Sequence, residues 1–258
     1  GVVIFLTFSA VLVYLSALNA PLIIAMALLL VLGLCDDRYD LKPTYKLLGQ
    51  VGAAFILMFA GDIHIASLGS LPGGGELLLG IWGYPLTLIA IVGLINALNM
   101  SDGIDGLAAS LALMALAHLV MAMQLIGRPL GDDVLLEVIV FSAAILGFFL
   151  LNIGLIKSQK VFLGDTGSLA LGGALGAIAV ATKHELVLGV VGGLFVVEAL
   201  SVIIQVLYFK RTGKRVFLMA PIHHHYEKKG WAEPQIVIRF WIISLVLALI
   251  GLATLKVR

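Results

Sequence analysis

The sequence predicts an all-α fold, a polytopic transmembrane helical bundle, on three observations. Hydrophobic residues fill 61% of the 258 positions and charged residues only 12%. The mean hydropathy is +1.13, more apolar surface than a soluble domain of this length can bury. Runs of about 18 apolar residues, the length that crosses a bilayer core, recur along the chain, and the short alternating segments of a membrane β-barrel are not visible.

About nine spans are expected, at about 1–18, 20–35, 46–60, 78–96, 107–126, 134–152, 167–182, 186–207 and 235–255. The loops around 36–46, 97–106, 153–166 and 208–234 then share one side of the bilayer. That side receives Arg38, Lys42, Lys46, Lys157, Lys160, Lys210, Arg211, Lys214, Arg215, Lys228, Lys229 and Arg239, against Arg128, Lys183, Lys256 and Arg258 on the other. The excess of cations assigns the first side to the cytoplasm. On the opposite side, "SLPGGGE" (70–76) reads as a Gly/Pro turn and "GRPLGDD" (127–133) as a short polar connection.

No soluble domain, repeat or low-complexity linker interrupts this pattern, so residues 1–258 are read as one membrane domain. The single cysteine, Cys35, excludes an internal disulfide, and a net charge of +1 gives no reason to expect a nucleic-acid partner. The opening "GVVIFLTF" has neither Met nor a basic n-region. No signal peptide is read there, and further residues are expected before Gly1.

Every unusual polar cluster falls on the cytoplasmic side: "CDDRYDLKPTYK" (35–46), "NALNMSDGIDGL" (96–107), "KVFLGDTGSL" (160–169) and "PIHHHYEKKGW" (221–231). In the second, Asn96, Asn99, Asp102 and Asp105 stand three apart, a spacing that fans side chains over about half of a helix surface. Gly103 and Gly106 weaken a helix there. The expectation is a helix that ends near Asn99 and unravels into a tight turn facing a cavity, with the blander alternative that Asp102 or Asp105 caps the next helix. Asp36 and Asp37 belong at the interface, because an ionised Asp at mid-bilayer costs about 2.5–3.5 kcal/mol. Adjacent carboxylates repel unless a cation lies close; Arg38, Lys42 or water is the ordinary solution.

Asp165 sits between glycines just before an expected helix whose first N–H groups are free, which suits a carboxylate-held metal beside an anion. His223, His224 and His225 lie in a basic loop. Consecutive histidines cannot all reach one ion from a regular element, so phosphate recognition is preferred over a transition-metal site. Glu198 is the one acid placed deep in a span, and Gln205, seven residues on, is a candidate partner. Hard carboxylate and amide oxygens suit Mg²⁺, and lysines suit phosphate. Neither a Walker A motif nor a Cys/His zinc spacing is present. The residues therefore read as Mg²⁺-assisted phosphoryl chemistry, with a soluble donor and a lipid acceptor.

The "DD" at 36–37, "NxxNxxDGxDGL" at 96–107, "FLGDTGSL" at 162–169 and the histidines at 223–225 resemble the polyprenyl-phosphate N-acetylhexosamine-1-phosphate transferases, over nearly the whole chain. "KVFLGDTGSLALGGALG" and the stretch from "MAPIHHHYEKKGW" onward are similar to the branch that transfers phospho-MurNAc-pentapeptide. "DDRYDL", "ASLGSL" and "INALNMSDGIDGL" look closer to the GlcNAc-1-phosphate branch, with the change near residues 155–160. Two departures stand out. The family's first span would precede Gly1, and Asp40 stands where the family's "DDxxK" pattern has Lys.

The resemblance implies Mg²⁺-dependent transfer of phospho-MurNAc-pentapeptide from its UDP-activated donor to undecaprenyl phosphate. UMP would leave and lipid I would form for peptidoglycan synthesis in the bacterial plasma membrane; UDP-GlcNAc is the alternative donor. It assigns catalysis to Asp36, Asp37 and Asp165, and the metal side to Asp165 and Asn99. Lys46 would contact phosphate. Asn96, Asp102 and Asp105 would belong to the substrate pocket, and His223, His224 and His225 to the sugar-bearing end of the donor. Direct attack by the lipid phosphate and a covalent aspartyl-phosphate route through Asp165 or Asp36 both stay open. The partners implied are the UDP-sugar, undecaprenyl phosphate and membrane lipids, with a homodimer as a further candidate. Two readings from other classes compete. A proton- or cation-coupled transporter would place acids near the midplane within repeats. An intramembrane aspartyl protease would pair Asp102 with Asp165, but Phe162 occupies the first Gly of its signature.

Overall fold

The computed structural model describes residues 1–15, 19–70, 76–129, 131–155, 161–182 and 189–255. Ten α-helices follow one another among them: α1 (Val2–Tyr14), α2 (Ala20–Tyr39), α3 (Pro43–Phe55, prolonged by the π turn Ile56–Ala60), α4 (Gly83–Ser101), α5 (Leu107–Leu125), α6 (Asp133–Asn152), α7 (Gly164–Ala181), α8 (Gly193–Thr212), α9 (Ile222–Lys228) and α10 (Glu233–Leu255). Among the described residues seven helices are long and apolar enough to cross a membrane: α2, α4 with the 3₁₀ turn before it, α5, α6, α7, α8 and α10. The protein is a multi-pass, all-α membrane bundle. The remaining two expected spans fall on shorter helices, α1 and α3. Lys157, Lys160, Lys183, Lys256, Arg258, most of the "SLPGGGE" turn and the junction beyond Leu155 lie outside the described residues.

Several helices run further than their apolar stretches. Helix α2 continues to Tyr39, α4 to Ser101 and α8 to Thr212, while α7 begins at Gly164. Polar residues expected in loops therefore sit on helical turns, because neighbouring helices satisfy them. The histidines, expected in a loop, lie on α9. In the connection before α6, Asp132 accepts from Leu135 N at 3.0 Å to cap that helix and pairs with Arg128 at 3.2 Å. The flanks of the 70–76 turn pair as a two-stranded antiparallel ribbon, with Ser67 opposite Leu78.

Helix α7 is the axis of the bundle, buried continuously from Thr166 to Val180. It is apolar and small-residued on every side, as a helix enclosed by others must be. A Cβ added at Gly172 would lie 2.6 Å from Ile95 Cα in α4, and one at Gly33 of α2 would lie 2.4 Å from the Asp165 carbonyl oxygen. Glycine thus brings α2, α4 and α7 together backbone to backbone, the small-residue packing that membrane helices favour. At the rim, Phe8 meets Phe141 with ring centroids 5.1 Å apart, and the Trp241 indole donates to Ser110 Oγ at 2.6 Å. Outward faces such as Ile203, Leu207, Leu245 and Leu249 are left for lipid.

Candidate active site

The C-terminal end of α2, the start of α3, the C-terminal end of α4 and the first turn of α7 meet at one end of the bundle. Lys46, one turn into α3, forms an ion pair with Asp36 and reaches Asp165 Oδ2 at 3.2 Å. Asp36 also accepts from Leu41 N at 2.9 Å, which fixes the tight α2–α3 connection. Lys46 therefore supplies the cation that the adjacent acids need, in place of Arg38 or Lys42.

Asp37 faces the other way. Its carboxylate accepts from the backbone N–H groups of Asp165 at 2.9 Å and Thr166 at 3.1 Å, and from Thr166 Oγ1 at 2.5 Å. The expectation of free N–H groups behind Asp165 is corrected here. Asp165 lies within the first turn of α7, and Asp37 is the anion that caps it. Gly164 adopts φ +65°, and a Cβ there would stand 3.0 Å from Asp37 Oδ2, so this turn needs glycine.

On α4, three residues advance about 300° around the helix, 60° short of a full turn. That offset separates the two asparagines. Asn99 donates to Asp165 Oδ1 at 2.8 Å and lies 2.8 Å from Ser168 Oγ. Asn96 instead exchanges amide hydrogen bonds with Gln50 of α3, at 2.7 and 3.3 Å, and donates to Val92 O. Asn99 is thus in the carboxylate centre, while Asn96 ties α3 to α4 one turn below it.

Helix α4 gives way at Ser101 to a turn over 102–106, and Gly106 at φ +81° precedes α5 without a side-chain cap. Asp102 accepts from the Gly164 backbone; burial, then the charge of Asp165, push its carboxyl up to about 7. The turn is pinned by Asn152 at the end of α6. Asn152 accepts from Gly106 N at 2.6 Å, donates to Val161 O at 2.9 Å, and lies 3.5 Å from Asp105 Oδ1. Helix α9 closes one flank, since a Cβ on Gly103 would fall 2.2 Å from His223 Nε2 and 3.2 Å from His224 Nε2.

The three histidines have three different partners. His223 Nδ1 is 3.1 Å from Glu198 Oε1, both side chains fully buried. His224 pairs with Glu227, and His225 Nδ1 accepts from Leu218 N at 3.1 Å. Glu198 therefore pairs with His223 rather than Gln205, whose amide holds Val216 N and Phe217 N at 3.0 and 2.9 Å. Gln50, Asn152, Thr166 and Ser168 are site residues that the sequence reading missed. Thr166 and Ser168 lay inside a quoted motif, while Gln50 and Asn152 had only their polarity at a span edge to mark them.

Among the described residues no three His, Cys, Asp or Glu side chains form a ready-made metal cage. The donor set nevertheless fits Mg²⁺, which is held through one or two carboxylates plus waters and substrate phosphates. Asp36 and Asp165 supply hard oxygens around the Lys46 ammonium, and the charge of Asp165 is felt at Asp102.

Fold and site together define an integral membrane protein with a carboxylate, amide and lysine centre at one end of its bundle. The profile of glycosyl transferase family 4 matches residues 19–183, and the chain belongs to that family. It is 58% identical over 228 residues to the phospho-N-acetylmuramoyl-pentapeptide-transferase of Ruegeria pomeroyi, covering 82% of this chain and 62% of that protein. The protein of that name from Dinoroseobacter shibae is 53% identical over 86% of this chain and 64% of its own length. That from Phenylobacterium zucineum is 44% identical over 94% of this chain and 74% of its own. This last match extends across residues 155–160, so both halves align with one such protein. The chain spans less than two thirds of the length of the first two relatives.

Proposed function

We propose that the protein transfers phospho-MurNAc-pentapeptide from its UDP-activated donor to undecaprenyl phosphate, with release of UMP, at the cytoplasmic face of the membrane. One observation carries the reading. Lys46, Asp36, Asp37, Asn99 and Asp165, drawn from three sequence motifs, form one bonded cluster at the end of the bundle. Relatives named for that transfer, 44–58% identical, support the choice of reaction.

Within this reading Asp165, with the Asn99 amide oxygen turned inward, would hold Mg²⁺. The cation, when bound, neutralises diphosphate charge and acts as a Lewis acid on phosphorus–oxygen bonds. Asp37 keeps α7 docked so that Asp165 stays in register with Asn99. Lys46 swings from the carboxylates to substrate phosphate, which a flexible ammonium does readily. Asp36 positions the Lys46 ammonium that orients the lipid phosphate, whose dianion attacks without a strong base. Asp102 and Asp105 line the nucleotide side of the pocket, and the α9 histidines meet the sugar-bearing end. The excess of Lys and Arg on this side supports a cytoplasmic orientation.

The test is reconstitution with undecaprenyl phosphate and Mg²⁺, offering UDP-MurNAc-pentapeptide and UDP-GlcNAc separately. UMP release with the muropeptide alone supports the reading. Release with UDP-GlcNAc alone transfers the assignment to the alternative donor, and release with neither rejects both.

A further inference from the structure

Glu198 is a fully buried carboxylate that the proposed reaction leaves unused. It lies in α8 with 0% of its side chain exposed, and its Oε1 sits 3.1 Å from Nδ1 of His223, also 0% exposed. Glu198 Oε2 and His223 Nε2 are both buried without a hydrogen-bond partner among the described residues. The unpartnered nitrogen is aimed at a particular place. It abuts Gly103, where an added Cβ would stand 2.2 Å away, inside the turn that carries Asp102 and Asp105. The neighbouring histidines differ, since His224 and His225 each spend a ring nitrogen within residues 218–227.

A carboxylate inside an apolar helix is expensive and is retained where it has a partner to serve. A carboxylate can only accept, so it selects the imidazole tautomer with the proton on Nδ1 and leaves a lone pair on Nε2. A buried lone pair pressed against a turn without a partner is costly, so the ring is held there for the place it gives that turn.

We propose that Glu198 is a positioning residue for His223, holding the ring with an unprotonated Nε2 against Gly103 so that it props the Asp102–Gly106 turn on the nucleotide-sugar side of the pocket. This rests on the donor reading above. It needs no transfer of a proton; the dyad works by orientation.

Two measurements on the full chain test it. The first uses no substrate. In ¹⁵N-histidine-labelled protein in detergent, the signals lost in His223→Ala should report a proton on Nδ1, and Glu198→Ala should turn them into a mixture of tautomers. A proton on Nε2 in the parent protein, or no change in Glu198→Ala, overturns the dyad. The second is kinetic. Glu198→Ala should lower kcat by roughly 10- to 100-fold, the usual loss when the partner orienting a histidine is removed. Glu198→Gln, whose amide oxygen can still accept from Nδ1, should recover part of it. The double variant Glu198→Ala/His223→Ala should be no worse than His223→Ala alone. Losses that multiply mean that Glu198 does not act through His223. If the parent protein releases no UMP from either donor, the donor reading fails while the tautomer measurement still decides the dyad.

Discussion

Asp37, in the last turn of α2, accepts the backbone N–H groups of Asp165 and Thr166 at 2.9 and 3.1 Å and so closes the N-terminus of α7. The second carboxylate of the acidic pair is therefore a helix cap that also locks the registry of two membrane helices. Its neighbour Asp36 faces Lys46 instead. One pair of adjacent residues thus divides a structural task from a chemical one.

Removing the cap should be felt as instability. Asp37→Ala strands two N–H groups and a hydroxyl, and a lost cap costs about 0.5–2 kcal/mol. Asp37→Asn keeps one acceptor and should fall between Ala and the parent. Thermal unfolding in detergent reads both. A melting temperature unchanged in Asp37→Ala would show that α7 holds its place without the cap.

Lys46 and a divalent cation compete for the same oxygens. Lys46→Met should lower transfer strongly, because phosphate loses its ammonium, yet it should tighten Mn²⁺ binding about tenfold. That is a fraction of the roughly 4 kcal/mol that a unit charge at 4 Å exerts at an effective dielectric of 20. Calorimetric titration with Mn²⁺ checks it. Weaker binding in Lys46→Met would mean that Lys46 organises the cation site instead of opposing it.

The carboxyl of Asp102, pushed up to about 7 by burial and by Asp165, makes stability depend on pH. The unfolded chain loses this proton near the ordinary carboxyl value of 3.8, whereas the folded protein keeps it to about 7. Between those values the native state binds more protons, so this group makes stability fall as pH rises through the window. Asp102→Asn, neutral throughout, should show a flatter decline in melting temperature from pH 5 to 7 than the parent. Parallel curves would mean that Asp102 is already ionised in the folded protein.

Much of this site was legible before any coordinates. The motifs that carry Asp36, Asn99 and Asp165 meet at one end of the bundle, as their shared side of the membrane suggested, whereas the pairing of Lys46 with Asp36 and Asp165 was not anticipated. What the chain concealed was direction. Period and polarity do not tell that Asn96 turns to Gln50 while Asn99 turns to Asp165, since that depends on which neighbours α4 meets. The partner of Glu198 was hidden similarly: His223 lies 25 positions away and beyond a turn. The reading of Asp165 as a loop residue failed because hydropathy marks where a helix is greasy, and Asp37 extends α7 past that point.

The close approach of α2 to α7 yields the last prediction. A methyl group on Gly33 would stand 2.4 Å from the Asp165 carbonyl oxygen and 2.5 Å from Thr166 Cα, backbone atoms that cannot rotate aside. Gly33→Ala must therefore push the first turn of α7 away from α2, lengthening the bonds to Asp37 and drawing Asp165 from Lys46. Overpacking of this kind costs about 1–3 kcal/mol. Activity should fall further than stability, because positioning of Asp165 is lost while the bundle persists. Gly147 of α6 is the control: nothing lies within 4 Å of a Cβ built there, and alanine should gain up to about 1 kcal/mol of helix propensity. Paired measurements of UMP release and melting temperature on Gly33→Ala and Gly147→Ala decide the matter. Equal behaviour of the two variants would show that the α2–α7 contact tolerates separation and that the carboxylate centre does not depend on it.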